Sequence, residues 1–191
     1  MKVSKAIPLL AGAVVLITPF VFRAAAQQTH STTPASQSSP VPEMDRLAKA
    51  LVGDWNTTET MEQGEFFSGG SRHGVVHVRL AAGGTTLIYE VHSDGSAGNL
   101  DGMLVIWWEK AANLYQVFVC FNNPNHPCEM RGTGRWEGDS FVNDYEETVK
   151  GKKAPWRDTI TLTPTSHTLV AAMEVENGTM KTLITTKATR R

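Results

Sequence analysis

From about residue 53 to the C-terminus the chain is a succession of short β-rich runs separated by turn dipeptides at nearly regular spacing. The runs fall at 55–61, 74–80, 85–92, 103–108, 114–121, 129–136, 141–149, 156–163, 167–176 and 180–186, and the punctuation includes Gly83-Gly84, Gly138-Asp139, Pro164-Thr165 and Asn177-Gly178. Alternating runs joined by tight turns are hairpins, so each strand pairs antiparallel with its neighbour in sequence. A row of about ten such strands must stack as two sheets or close on itself. Closure removes the exposed edges and suits strictly local connections. The expected fold is therefore all-β: a single up-and-down antiparallel barrel of about 8–10 strands, wide enough to be filled by side chains or to hold one small ligand. Nothing repeats with the period of a propeller or solenoid. Ahead of the first strand, Met44, Leu47, Ala48 and Leu51 recur at i, i+3, i+4 and i+7, which predicts a short amphipathic helix ending near Gly53.

The turns also fix registers. A two-residue Gly83-Gly84 turn sets His77 opposite Glu90 and Arg79 opposite Ile88. Gly138-Asp139 sets Arg135 near Val142, Thr133 near Asp144 and Arg131 near Glu146. Asn177-Gly178 sets Val175 opposite Met180, Glu174 opposite Lys181 and Met173 opposite Thr182, sorting apolar residues and a charge pair onto opposite faces.

The first 42 residues do not belong to this pattern. Lys2 and Lys5 precede an almost wholly apolar run from Ile7 to Phe22, and Ala24-Ala25-Ala26 supplies small residues before Gln27, the layout of a cleaved secretory signal over 1–26. Retention as an anchor is the alternative, but Pro8, Pro19 and the shortness of the run favour cleavage, and no cysteine follows it to carry an acyl chain. Residues 27–42 are rich in Ser, Thr, Gln and Pro and lack periodicity, which predicts a flexible tether. The barrel domain is then 43–191, in a secreted or periplasmic compartment. Losing 1–26 removes Lys2, Lys5 and Arg23 and no acid, so the formal charge moves from −1 to −4. That balance speaks against nucleic acid as a partner, and no other stretch has the length to span a membrane.

The segment Leu51-Val52-Gly53-Asp54-Trp55, a short helix running into L-x-G-x-W at the first strand, resembles the opening of lipocalin-like (calycin) barrels. The wider layout is similar to secreted bacterial lipocalin-like domains of unknown function. It shares an early glycine-rich hairpin, paired aromatics mid-chain and a final hairpin ending in basic residues. The resemblance implies that Gly53 permits the tight passage from helix to strand. It implies that Trp55 closes the bottom of the barrel, with Arg190 or Arg191 as its basic partner, and that the interior is apolar. It also brings the alternative of a haem or nitric-oxide-binding barrel, with His77, His92 or His167 as the ligand. No reaction comes with it.

Within the barrel, Tyr89, Phe118, Trp136, Phe141, Tyr145 and Met173 are the candidate ligand-binding residues. Gly132 and Gly134 alternate among these aromatics and either bend the strand or leave room for a ligand ring. Adjacent Trp107 and Trp108 must point to opposite faces. A possible polar site comprises His77 with Glu90, and Arg131 with Asp144 and Glu146. On a solvated outer face these are surface pairs; facing inward, His77–Glu90 becomes an acid–base pair and the second group a ligand clamp. Cys120 and Cys128 flank a Pro-rich loop and are expected to form a disulfide in an oxidising compartment, the alternatives being free thiols or a metal pair with His126. His73 and His77 lie about 13 Å apart along a strand, at roughly 3.3 Å per residue, too far to share an ion. No nucleophile elbow, zinc-protease, phosphate-loop or dinucleotide motif occurs. The sequence thus predicts a barrel binding a small hydrophobic or amphipathic molecule without a cofactor, and leaves a barrel enzyme using a His–carboxylate pair as a further alternative.

Overall fold

A computed structural model describes residues 41–64, 67–122, 128, 130–149, 152–175 and 178–191. The signal and tether, residues 1–40 of the expected 1–42, lie outside the described residues, as does His126.

Helix α1 spans Pro42–Leu51. Proline at its first turn is preset in φ and forfeits no needed N–H, and Glu43 and Asp45 complement the positive end of the helix dipole. Its apolar stripe is fully buried at Met44, Leu47 and Leu51. Ten strands follow: β1 Gly53–Gln63, β2 Ser68–Ala81, β3 Thr86–Gly95, β4 Leu100–Glu109 and β5 Leu114–Phe121, then β6 Met130–Glu137, β7 Ser140–Val149, β8 Lys152–Leu162, β9 Ser166–Glu174 and β10 Met180–Arg190. Each pairs antiparallel with its neighbour in sequence, and β10 pairs with β1, so the sheet closes into a ten-stranded barrel. Among the described residues no helix is long and apolar enough to cross a membrane.

Two of the turn registers hold as read. His77 opposes Glu90 and Arg79 opposes Ile88; Thr133 opposes Asp144 and Arg135 opposes Val142. The last hairpin departs from expectation. Glu174 faces Met180 and Met173 faces Lys181, one residue off the register of a two-residue Asn-Gly turn. The Val175 N–H donates to the Thr179 carbonyl at 2.9 Å, which makes the loop one residue longer, and Gly178 takes φ 75°, a conformation glycine adopts without penalty. A bulge between Thr182 and Ile184 then absorbs the extra residue, and from Ile184 opposite Ala171 onward the pairing is the one an Asn-Gly turn would set.

Period-2 alternation sends one face of each strand inward. Val76, Val78, Leu87, Tyr89 and Val91 are buried, which makes the apolar face of the β2–β3 hairpin the interior one. At the α1 end the interior is solid. Trp55 is fully buried, its indole N–H donates to the Leu51 carbonyl at 2.9 Å, and the Arg190 guanidinium lies 4.3 Å from its ring centroid while donating to the Val52 carbonyl. Of the two terminal arginines, Arg190 is thus the partner of Trp55. Gly53 has φ 139°, a conformation that strains any other residue, and a Cβ there would also press on that guanidinium, 2.7 Å away. Trp108, Tyr115, Phe141 and Trp136 continue this floor as a chain of edge-to-face contacts, with ring centroids 4.9–5.3 Å apart. Trp107 consequently takes the outer face. The helix is tied to the floor by the Tyr115 hydroxyl, which donates to the Glu43 carbonyl at 2.7 Å, and by Arg46, which stacks 4.0 Å over Trp136.

The space at Gly132 and Gly134 is taken by the protein's own rings. A Cβ on Gly132 would lie 2.4 Å from the Tyr145 ring, and one on Gly134 would lie 2.7 Å from Phe141. Cys120 and Cys128 are joined by a disulfide, so among the sequence alternatives neither free thiols nor a metal pair applies.

Candidate ligand-binding site

Away from α1 the side chains no longer meet across the barrel, and a cavity of about 580 Å³ remains. Its walls come from inward positions of nearly every strand. Val76, Val91, Leu104, Val119, Leu169 and Met173 give the apolar surface. The aromatic lining is Tyr89, Tyr145, Trp156, Phe67 and Phe121.

Several polar groups interrupt that surface. Glu59 on β1 and Arg72 on β2 are direct cross-strand partners, both turned inward, with side chains only 13% and 8% exposed. The Arg72 Nε donates to Glu59 Oε1 at 2.7 Å, its Nη2 reaches the same oxygen, and the Thr186 hydroxyl donates to Oε2 at 3.3 Å. On the opposite wall, Asp158 is enclosed by protein yet open to the cavity. It accepts a 2.8 Å hydrogen bond from the Trp156 indole N–H. Burial pushes its carboxyl up to about 7, against the hydrogen bonds that would lower it and with the Asp144 charge adding to the rise. Burial likewise raises the phenols of Tyr89 and Tyr145, each with a further contribution from the Asp158 charge. The Tyr145 hydroxyl stands beside Asp158 but completes no hydrogen bond of regular geometry. Glu147 and Ser93 complete the polar lining together with Asn99, Asn122 and Thr57.

Of the six residues expected to bind the ligand, Tyr89, Tyr145 and Met173 line this cavity. Phe141 and Trp136 face inward but belong to the aromatic floor beneath α1. Phe118 faces outward, because Val117 and Val119 take the interior positions of β5, and it is covered by the Arg131 guanidinium at 5.3 Å.

The expected polar site is on the outside of the barrel. His77 does oppose Glu90, but its Nδ1 is 2.7 Å from Asp54 on β1, and Glu90 lies 3.7 Å from Arg79. Asp144 is held between Arg135 and Arg157, with Arg157 Nε at 2.6 Å. Partial burial alone would raise the Asp144 carboxyl, but these two hydrogen bonds outweigh it and hold it below its ordinary value. Glu146 pairs with Lys153 at 2.8 Å. These are solvated cross-strand pairs, neither an acid–base pair nor a clamp in the interior. The haem alternative meets the same obstacle. His77 and His92 face solvent, the latter on Asp101 at 2.8 Å, and His167 is buried in the floor with its ring 4.6 Å from Trp55. Among the described residues no histidine lines the cavity.

The sequence reading missed Glu59, Arg72, Asp158 and Glu147. In β1 Trp55 and Met61 mark the inward face, but Thr57 and Glu59 between them are as polar as the outward Asn56, Thr58 and Thr60, so alternation carries little signal there. In β8 Asp158 alternates with Trp156 and Ile160, and a face assigned from that strand alone would have placed it inward.

No protein-family profile matches the chain, and no curated protein matches it in sequence. Among solved structures it is similar to the S-type phycobiliprotein lyase CPES from Guillardia theta, with 11% identity and a TM-score of 0.52 over 81% of this chain and 94% of that one. Rv2717c from M. tuberculosis aligns at 12% identity with a TM-score of 0.49, over 80% of this chain and 99% of that one. The likeness to the lyase supports the barrel fold, and at that identity it shows the fold alone.

Proposed function

We propose that the barrel binds one small hydrophobic or amphipathic molecule in the cavity opposite α1. The observation that carries this reading is the cavity itself. At about 580 Å³ it falls within the range of small-molecule sites, and a mainly apolar wall with a few convergent polar groups is their usual composition. A protein with no such role would gain stability by filling that space, since voids forfeit dispersion contacts. Export belongs to the same reading: the signal-like segment 1–26 motivates it, and the Cys120–Cys128 disulfide supports it because such bonds persist in oxidising compartments.

The test is to fill the space. Ala171 is 3% exposed and lines the cavity from β9. The Ala171→Trp variant, checked for folding by circular dichroism, should lose at least tenfold in affinity for Nile red. Native mass spectrometry should also show loss of any small molecule that the original protein retains. Equal dye binding by the two folded proteins would overturn the reading.

A further inference from the structure

Resting on that reading, we infer that the ligand carries a protonated amine, seated on Asp158 at the base of the cavity among Trp156, Tyr145 and Tyr89, with its apolar body against Val76, Leu104 and Leu169.

The placement follows from the register. Asp158 opposes Asn143 on β7 and Ala171 on β9. The next inward residue of β8, Ile160, already belongs to the packed core, so Asp158 is the deepest polar group on its strand. What it lacks is a counterion. Arg72 is the sole cationic side chain among the described lining residues, and its β1 neighbour Glu59 engages both its Nε and its Nη2. The charge that acts on Asp158 is that of Asp144 on β7, which Arg135 and Arg157 hold from the outer face; none of these three lines the cavity among the described residues. Asp158 receives one indole N–H. Beside it Tyr145, 5% exposed, carries a buried hydroxyl without a regular hydrogen-bond partner.

An ammonium group meets each of these needs at once. It neutralises a desolvated carboxylate, offers N–H donors to the phenol oxygen, and lies against aromatic faces whose quadrupoles attract cations. A carboxylate or phosphate headgroup would instead meet Asp158 with the arginine of the lining, Arg72, already engaged by Glu59. Buried acids in this state hold their proton near neutrality, so a cation that binds displaces it. Amine affinity should therefore rise as pH increases through about 7.

The experiment is isothermal titration of the full barrel domain with three probes sharing one ring: 2-(1-naphthyl)ethylamine, 1-naphthaleneethanol and 1-naphthaleneacetic acid. At pH 8 the amine should bind about tenfold more tightly than the alcohol and the acid more weakly than either. The preference for amine over alcohol should shrink severalfold at pH 6. Asp158→Asn should abolish that preference and leave alcohol binding within about twofold. Tyr145→Phe, which keeps the ring, should reduce the preference severalfold and provides a second variant should the first fail to fold. Alcohol binding with no amine preference, or a preference that survives in Asp158→Asn, overturns the amine assignment and leaves the cavity reading intact. Failure of all three probes to bind at millimolar concentration overturns both.

Discussion

His167 is the most constrained titratable residue of the floor. Both ring nitrogens are buried without hydrogen-bond partners and the ring packs on Trp55. Burial first, and then the Arg190 charge, lower its pKa to about 4, against 6.5 when unfolded. Between those values the unfolded chain binds the proton and the folded one does not. His167 therefore costs stability as pH falls from about 6.5 to about 4, to a total of about 3 kcal/mol. Asp158 runs the other way: its raised pKa makes the unfolded chain the stronger acid, so it costs stability as pH rises from about 4 through about 7. Urea unfolding across pH 4–8 should show His167→Leu losing less stability than the original protein on the acid side. Parallel curves would show that the folded imidazole takes up its proton as readily as the unfolded one.

The β1–β2 pair holds an ion pair turned into the cavity wall. Glu59 and Arg72 are paired directly across the strands and shielded from water, so removal of one partner strands the other. Arg72→Met is expected to cost about 3–5 kcal/mol, and Glu59→Gln in the same chain to recover part of it, measured by the urea midpoint in a double-mutant cycle. Additive losses would mean that the two act independently. These strands also show where the sequence was legible. Every strand was readable as an element, because β-rich runs and turn dipeptides are local signals, and the β2–β3 face was readable because Val76, Val78, Leu87 and Tyr89 alternate cleanly. The β1 face was not, since Thr57, Glu59 and their neighbours are polar on both sides. Phe118 misled for the converse reason: an apolar ring on the outer face, sheltered by Arg131, looks like a wall residue until its neighbours Val117 and Val119 are known to be inside.

For the molecule as a whole, the barrel is closed at two levels, by α1 across one end and by β10 against β1 along the side. The second closure gathers at the terminus. Arg190 stacks on Trp55 and bonds the Val52 carbonyl, its N–H donates to the Thr165 carbonyl at 2.9 Å, and the Arg191 N–H donates to the Asp54 carbonyl at 2.9 Å. Removal of these two residues should lower stability by about 2–3 kcal/mol, the sum of three modest hydrogen bonds and a cation–π contact. An unchanged denaturation midpoint would show that the clasp is ornamental. The closed topology itself was foreseeable from ten consecutive hairpin strands, whereas the division of the interior into an aromatic floor and an open chamber was not. That division depends on which rings meet across the barrel, a property of three-dimensional neighbours. Pairing of the final strand with the first also sets an order of events during synthesis. A chain emerging N-terminus first can form hairpins one after another, but it cannot enclose an interior until the eleven residues of β10 are free. Until then it remains an open ribbon, with the outer edge of β1 waiting for its partner.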